Sequence, residues 1–111
     1  MATDRALDAA AFAALVNRPY GDLVLLVDER LRIIRAGRQA AELAERPPSD
    51  IEGMSLIAAF GSAALDAVAR EALTRGRPAE GEAELGHPKR RIFQVEAVPI
   101  TRGGIVLSLH D

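Results

Sequence analysis

Five apolar residues in succession, Leu23 to Val27, constrain the fold of this chain most strongly. A strand without a polar residue must be covered on both faces, and the charged triplet Asp28-Glu29-Arg30 that follows it is typical of a turn. Residues Arg32 to Ala36 provide a second apolar-rich segment, so the pattern predicts a β-hairpin. Other parts of the protein must therefore cover the first strand of that hairpin on both faces of the sheet.

Composition limits the chemistry that is open to the chain. It has 111 residues, of which 49% are hydrophobic and 27% charged, as in one ordinary globular domain. The absence of cysteine rules out disulfides, thiolate metal sites, cysteine nucleophiles and cysteinyl flavin adducts. Fourteen basic and 16 acidic residues give a net charge of −2, which argues against nucleic acid as a partner. Because acids interleave the arginines, the charges indicate a solvated mixed surface.

The N-terminal segment has helical periodicity. Its apolar residues recur every three or four positions and end at Asn17, Arg18 and Pro19, which predicts an amphipathic helix over Leu7–Val16. The apolar run of residues 9–16 is far shorter than the roughly 20 residues that a membrane span needs. We therefore expect a cytoplasmic chain with no direct membrane insertion, although its parent protein could be membrane-anchored elsewhere. The residues of this helix that could form a dimer interface are Leu7, Ala11, Phe12, Leu15 and Val16.

Helical patterns dominate the middle of the chain. Arg38 to Glu45 predicts a short helix that Pro47-Pro48 stops, and Ser49 or Asp50 can start a further single turn. The segment from Gly53 leads to Gly61, after which Ser62 caps a longer helix that stops at Gly76.

The last third of the chain changes to strand-like alternation. Strands are predicted over Gly81 to Leu85, Arg91 to Ile100 and Ile105 to His110, with turns between them. The resulting order is one helix, two strands, several short helices and three strands. Because strands and helices do not alternate strictly, the pattern favours an α+β fold, an antiparallel sheet with the helices gathered on one face.

In this order the chain resembles a PAS domain, the sensory module of many bacterial signalling kinases. The resemblance covers residues 20 to 111, and its matching stretches are Asp22 to Asp28 with Arg32-Ile33-Ile34, Gln39 to Leu43, Ile51 to Leu56, Ala67 to Gly76, Phe93 to Ile100 and Gly104 to Asp111. It implies a PAS-like five-stranded antiparallel sheet with strand order 2-1-5-4-3. Residues 1–19 would then be an N-terminal helical extension, used for dimerisation or to cover the sheet, and residues 20–111 the PAS domain.

The resemblance also implies a role. The chain is expected to be a non-enzymatic input module of a two-component signal transduction protein, a sensor histidine kinase, acting as a homodimer on a downstream kinase or output domain. Asp111 matches the acidic residue that leads into the family's output helix, so we expect the chain to end at that junction. It departs from the family at Gly37, where many members carry an Asn whose side chain ties down the following turn.

Catalytic and cofactor chemistry find little support. The two histidines, His87 beside Pro88 and His110, lack the partners of a nucleophile-base pair, and no Gly-rich phosphate loop is present. Glu80, Glu82 and Glu84 alternate along one strand face, which indicates a solvated edge. A haem-binding family member would need an imidazole on the long helix, yet residues 62–75 contain no histidine. No cofactor, no metal and no catalytic residue are therefore expected, and an unknown small metabolite stays open.

Two hypotheses remain for the interior between sheet and helices. In the first, it is a ligand pocket in which small residues such as Ala36, Ala40 and Ala64 leave room and Arg38, Gln39 or Ser55 fixes a polar end. Its apolar lining would be Leu25, Val27, Ile33, Leu43, Met54, Ile57, Phe60, Leu65, Val68, Phe93, Val95 and Leu107. In the second, the same residues are the filled core of a ligand-free dimerisation module. The Leu7–Val16 helix would then cover the apolar outer face of the sheet, from its own chain or from a second subunit.

Overall fold

A computed structural model of the chain describes residues 23–86, 89–100 and 104–110. Within these ranges the chain forms five strands and four helices. The strands are β1 (Val24–Val27), β2 (Ile33–Ala36), β3 (Ala79–Leu85), β4 (Arg91–Pro99) and β5 (Ile105–His110). The helices are α1 (Arg38–Leu43), α2 (Pro48–Ile51), α3 (Leu56–Phe60) and α4 (Ala63–Arg75), and all of them lie between β2 and β3 in the chain.

The strands make one antiparallel sheet in the order β2-β1-β5-β4-β3. Two hairpins, β1–β2 and β3–β4, therefore flank the C-terminal strand β5. This arrangement confirms the predicted α+β class and the predicted strand order. It places the last strand in the sequence at the centre of the sheet.

Strand β1 is buried on both faces, as its unbroken apolar sequence predicts. Leu25 and Val27 belong to the main core between the sheet and the helices. Val24 and Leu26 point to the opposite face, where they form a second apolar cluster with Val106 of β5, and Ile100 packs against it. All three residues of this outer cluster are at most 5% exposed, so both faces of the sheet centre are withdrawn from solvent.

The turn after β1 is held by its first acidic residue. The Asp28 carboxylate accepts hydrogen bonds from the backbone N–H groups of Arg30 (2.8 Å) and Arg32 (3.0 Å). This local bonding is the reason that Asp favours turns. Leu31 takes a left-handed backbone conformation, φ +60°, and buries its side chain in the core.

Helix α4 begins and ends as predicted. The Ser62 hydroxyl accepts a hydrogen bond from the N–H of Leu65 (3.1 Å), and Gly76 ends the helix with φ +66°. The residues that face the core recur at helical spacing and are Leu65, Val68, Ala69 and Ala72.

Helix α3 was not predicted as a separate element, because five residues give too few turns for a periodic signal. Ser55 caps it by accepting a hydrogen bond from the N–H of Ala58 (3.1 Å). The β3–β4 pairing also extends β3 to Ala79, two residues before the predicted start at Gly81, because Ala79 and Glu80 lie opposite Ala97 and Glu96.

Small residues bring the layers of this fold close together. Ala40, Ala41, Ala69, Ala72 and Ala97 are fully buried in the core. Of the alanines expected to leave room for a ligand, Ala40 lies in this packed interior, whereas Ala36 is only partly buried and Ala64 is exposed. The small side chains therefore allow close approach of helices and sheet.

Several sequence predictions fall outside the described residues. These are the Leu7–Val16 helix with its five candidate interface residues, the domain boundary after residue 19, His87 and Asp111. Within the described ranges, no helix is long and apolar enough to cross a membrane.

Candidate functional site

Most of the predicted pocket residues lie together in the core. Nine of them are no more than 9% exposed, and they are Leu25, Val27, Ile33, Phe60, Leu65, Val68, Phe93, Val95 and Leu107. They pack with the buried alanines as one apolar cluster. The structure thus places these side chains against one another, in the arrangement expected of the filled-core hypothesis.

Of the other predicted pocket residues, Leu43 and Met54 pack against this cluster from its edge, whereas Arg38, Gln39 and Ile57 are exposed. Met54 and Ser55 are partly buried, and the Ser55 hydroxyl is engaged as the cap of α3. Ile57 is 50% exposed, because the helical register of α3 turns Leu56 and Phe60 inward and Ile57 outward. Neither Ser55 nor Ile57 faces an interior space.

A cleft opens where the helical layer meets the end of the β3–β4 hairpin, and we name it the α1–β4 cleft. Its volume is about 630 Å³, within the range of about 300–1,000 Å³ that is usual for small-molecule sites. The residues that line it are Leu23, Arg38, Gln39, Glu42, Leu43, Gly86, Lys89, Arg91 and Phe93. Four of these, Arg38, Gln39, Leu43 and Phe93, were predicted as pocket residues.

Helix α1 forms one wall of the α1–β4 cleft. Ala40 and Ala41 turn into the core, so the remaining face of the helix presents Arg38, Gln39 and Glu42 to the cleft. Gly37 precedes this helix, and no side chain caps the helix there. Its φ of −68° is an ordinary conformation that residues with a side chain also adopt.

Strand β4 forms the opposite wall. Side chains alternate along a strand, so Arg91 shares the inner face with buried Phe93, whereas Ile92 points outward and is 59% exposed. The guanidinium carbon of Arg91 lies 5.2 Å from the centroid of the Phe93 ring, a cation–π contact. This contact holds a positive charge at the point where the apolar core meets the cleft.

The turn between β3 and β4 depends on glycine at position 86. Gly86 has φ +110°, a backbone conformation that residues with a side chain rarely adopt. A Cβ added there would lie 2.9 Å from the carbonyl oxygen of Lys89. It would also lie 3.8 Å from the Leu43 side chain of α1. The absence of a side chain therefore lets Gly86 approach the backbone of Lys89 closely beside α1.

The α1–β4 cleft has an electrostatic sign opposite to that of the whole chain. Three cationic side chains, Arg38, Lys89 and Arg91, line it together with one carboxylate, Glu42. The chain as a whole carries a net charge of −2. The cleft is thus a locally positive site on an acidic domain.

A second, smaller groove of about 410 Å³ runs between the start of α4 and the β3–β4 hairpin. Its lining includes Ser62, Glu82 and Arg90, and the Arg90 guanidinium donates a hydrogen bond to the carbonyl oxygen of Glu84 (2.7 Å). Arg90 is thereby directed away from the α1–β4 cleft, although it lies between two residues that line the cleft.

Acidic residues of the sheet lie on its outer face, as predicted. Glu80, Glu82 and Glu84 are exposed and alternate with inward-facing Gly81 and Ala83. Among the described residues, no three His, Asp or Glu side chains are close enough together to hold a metal ion.

Comparison with known proteins identifies the fold. The family described as the PAS fold matches residues 19–111, most of the chain. The chain belongs to the PAS fold family. A comparison with curated proteins gives no match.

Solved structures of PAS domains resemble this one. The PAS domain of nitrogen regulation protein NR(II) from Vibrio parahaemolyticus is 18% identical, with a TM-score of 0.70 over 91% of this chain and 96% of that one. The PAS domain of the RpfR quorum-sensing receptor from Cronobacter turicensis, in complex with BDSF, is also 18% identical, with a TM-score of 0.66 over 80% of this chain and 91% of the other.

A further similar structure is a domain of a sensory box sensor histidine kinase/response regulator from Geobacter sulfurreducens. It is 10% identical, with a TM-score of 0.68 over 94% of both chains. At these identities the likeness concerns the PAS fold itself.

Sequence reasoning missed the basic residues of this PAS domain's cleft. Lys89 and Arg91 belong to Lys89-Arg90-Arg91, the one run of three basic residues in the chain. That run was a usable signal, because it concentrates positive charge at the start of β4, whose first residue is Arg91. Which face turns inward depends on the β3–β4 register, in which Arg91 lies opposite buried Leu85.

Proposed function

We propose that this PAS domain is the sensory input module of a bacterial signal transduction protein, a histidine kinase, and that it binds its small-molecule signal in the α1–β4 cleft. The observation that carries the proposal is the cleft itself, which combines mostly polar and cationic side chains with three apolar ones in an adequate volume. The interior offers no comparable support, because the predicted pocket residues there pack against one another.

The position of the cleft suits a signalling role. It lies between α1 and the β3–β4 hairpin, so a ligand that contacts Arg38 and Lys89 bridges the helical layer and the sheet. A ligand changes an equilibrium between two arrangements only if it binds one of them more tightly. Bridging two elements provides that difference, because the bound ligand favours the arrangement in which both walls are in place.

The test is native mass spectrometry of the protein purified from its own host, together with a compound screen read by melting temperature. We expect a bound small molecule, or a compound that raises the melting temperature of the wild type and not of a variant with Arg38, Lys89 and Arg91 replaced by Gln. An apo mass combined with no stabilising compound would remove the support for a ligand-sensing module.

A second proposal concerns the dimer. The filled core supports a ligand-free dimerisation module that relays a conformational signal between subunits. The candidate interface residues Leu7, Ala11, Phe12, Leu15 and Val16 belong to this proposal.

Analytical ultracentrifugation separates the two proposals. A homodimer that becomes monomeric in a Phe12→Ser, Leu15→Ser variant or in a chain starting at Pro19, with no ligand found by mass spectrometry, would favour the dimerisation module. A monomer at all concentrations in the intact chain would refute it.

A further inference from the structure

Strand β3 leaves one of its two edges unpaired. It lies at one end of the sheet and pairs with β4 along its whole length, from Ala79 to Leu85. No backbone hydrogen bond from any other element that the structure describes reaches these seven residues. An edge strand presents a row of free N–H and C=O groups, which is a template for a further strand. The backbone of β3 is therefore able to pair with a strand from another polypeptide.

The opposite edge of the sheet is partly covered by the chain itself. The N–H of Ile33 in β2 donates a hydrogen bond to the carbonyl oxygen of Met54 (2.8 Å). The carbonyl oxygen of Ile33 accepts one from the N–H of Gly53 (2.7 Å), and Arg32 and Ser55 form a bridge beside them. Residues 53–55 thus occupy the start of the β2 edge, and β3 provides the longer open edge.

The outer face of β3 carries a row of negative charges. Glu80, Glu82 and Glu84 alternate along this face and are exposed. The carboxylates of Glu80 and Glu84 make no ion pair or hydrogen bond with any residue that the structure describes. Glu82 accepts a hydrogen bond from the side-chain amide of Gln94 (2.9 Å), which leaves its charge in place. On β4, Glu96 lies opposite Glu80, so the paired strand adds negative charge rather than balancing it.

The groove of about 410 Å³ beside the start of α4 borders this edge, and we name it the α4–β3 groove. Residues 61–64 at the start of α4 line it, together with residues 82–84 of β3, Arg90 and Ile92. The exposed residues of the α4 side are one glycine and two alanines, so they leave room for the backbone of another chain. Arg90 donates to the carbonyl oxygen of Glu84 (2.7 Å), so the stretch of β3 that is open to a further strand is residues 79–83.

We propose that β3 binds, by strand addition, an extended segment of a partner protein in which Lys or Arg alternates with small apolar residues. Side chains that lie opposite each other in a sheet share one face, so each basic residue would lie against a glutamate of β3. The apolar residues between them would face the α4–β3 groove. Main-chain hydrogen bonds would provide affinity, and the alternating side chains would provide specificity.

The same glutamates argue against a second copy of this chain as the occupant. Antiparallel pairing of two β3 strands about Glu82 would place Glu80 of each chain opposite Glu84 of the other. Like charges that lie directly opposite each other destabilise a sheet. The row of glutamates therefore disfavours self-pairing and favours a basic strand. This surface is separate from the α1–β4 cleft, so the proposal does not depend on a small-molecule signal.

Fluorescence anisotropy of the full chain tests the proposal with a labelled seven-residue peptide of alternating Lys and Val. One control peptide has Glu in place of Lys, and a second keeps Lys but has N-methylated amides, which cannot donate hydrogen bonds to β3. We expect saturable binding of the Lys–Val peptide and at least about ten-fold weaker binding of both controls. Amide shifts in NMR spectra should concentrate at residues 79–83.

Matched variants of the protein assign the binding to the glutamates. Glu80→Gln and Glu84→Gln should each weaken binding of the Lys–Val peptide about two-fold, and the triple variant with Glu82→Gln about eight-fold. Glu29→Gln and Glu52→Gln remove the same charge near the β2 end of the sheet, where both residues are exposed. These two should bind like the wild type, because charges beyond a Debye length are largely screened. Circular dichroism melting shows whether each variant is folded.

Four results would overturn the proposal. The first two are no saturable binding of the Lys–Val peptide, and equal binding of its N-methylated form, which would show a contact by charge alone. The third is equal weakening by the β3 variants and by Glu29→Gln and Glu52→Gln. The fourth is a set of amide shifts at residues 79–83 on raising the protein concentration without peptide, which would make a second copy the occupant.

Discussion

The close contact between β3 and α4 at Gly81 gives the sharpest test of how this core is packed. A Cβ added at Gly81 would lie 2.6 Å from Cγ2 of Val68, a distance that real Cβ atoms do not show. Val68 cannot easily turn away, because a β-branched side chain in a helix has one strongly preferred rotamer. Gly81→Ala must therefore displace α4 from the sheet or strain Val68.

The expected cost follows from two opposing effects. Overpacking a well-packed core typically costs about 1–3 kcal/mol. Replacing glycine by alanine in an ordinary strand conformation stabilises a protein by about 0.4–1 kcal/mol, because alanine restricts the unfolded chain. Gly81→Ala should therefore destabilise the domain by about 1–2 kcal/mol, which corresponds to a fall in melting temperature of roughly 5–10 °C at this size.

Urea denaturation followed by circular dichroism measures this difference, and a double-mutant cycle with Val68→Ala assigns it to the contact. Val68→Ala alone should cost about 1.5–2.5 kcal/mol, because it removes two methyl groups of a side chain that is only 8% exposed. In the double variant the new methyl group occupies the vacated space. The double variant should therefore lose less stability than the sum of the losses in the two single variants, by about 1–2 kcal/mol.

Gly61→Ala provides the matched control. Gly61 has φ +62° and no atom within 4 Å of an added Cβ, so its substitution strains the backbone without a clash. Combined with Val68→Ala, it should be additive. An increase in stability on Gly81→Ala, or strict additivity of Gly81→Ala with Val68→Ala, would refute the packing argument.

Further outcomes follow from the caps, the turn and the register. Ser62→Ala removes the cap of α4 and should cost about 1 kcal/mol in urea unfolding. Gly86→Ala should displace Lys89 and shift the amide signal of Lys89 in NMR spectra, whereas an unmoved signal would contradict the close approach of Gly86 to Lys89. Phe93→Ala should lower the free energy of unfolding by about 3–5 kcal/mol, whereas Ile92→Ala at the neighbouring exposed position should change it by no more than about 0.5 kcal/mol. Comparable losses in the two variants would mean that the register of β4 is wrong.

The elements with strong local signals could be predicted from sequence. The apolar run of β1 predicted burial on both faces, and Ser62 and Gly76 marked the ends of α4. The short helix α3 was missed because five residues carry too little periodicity. The strand order came from the resemblance to PAS domains, since local periodicity does not say that β5 lies between β1 and β4.

The site was predicted less completely than the fold. Arg38 and Gln39 were chosen as polar residues near a pocket, and both line the α1–β4 cleft. Lys89 and Arg91 were treated as part of a solvated mixed surface, because their inward direction depends on long-range pairing and on the turn at Gly86. The predicted interior residues were correctly identified as apolar and central, but apolar pattern alone does not distinguish a cavity wall from a packed core.

The central position of β5 also affects how this chain folds during synthesis. The hairpins β1–β2 and β3–β4 do not pair with each other in the sheet, and β5 pairs with a strand of each. During synthesis, β5 leaves the ribosome after both hairpins. Its pairing with β1 closes a loop that contains most of the chain, and the entropy cost of closing that loop must be overcome first. We therefore expect the nascent domain to remain two weakly coupled halves, open to chaperones and proteases, until residues 105–110 emerge and complete the sheet in one late step.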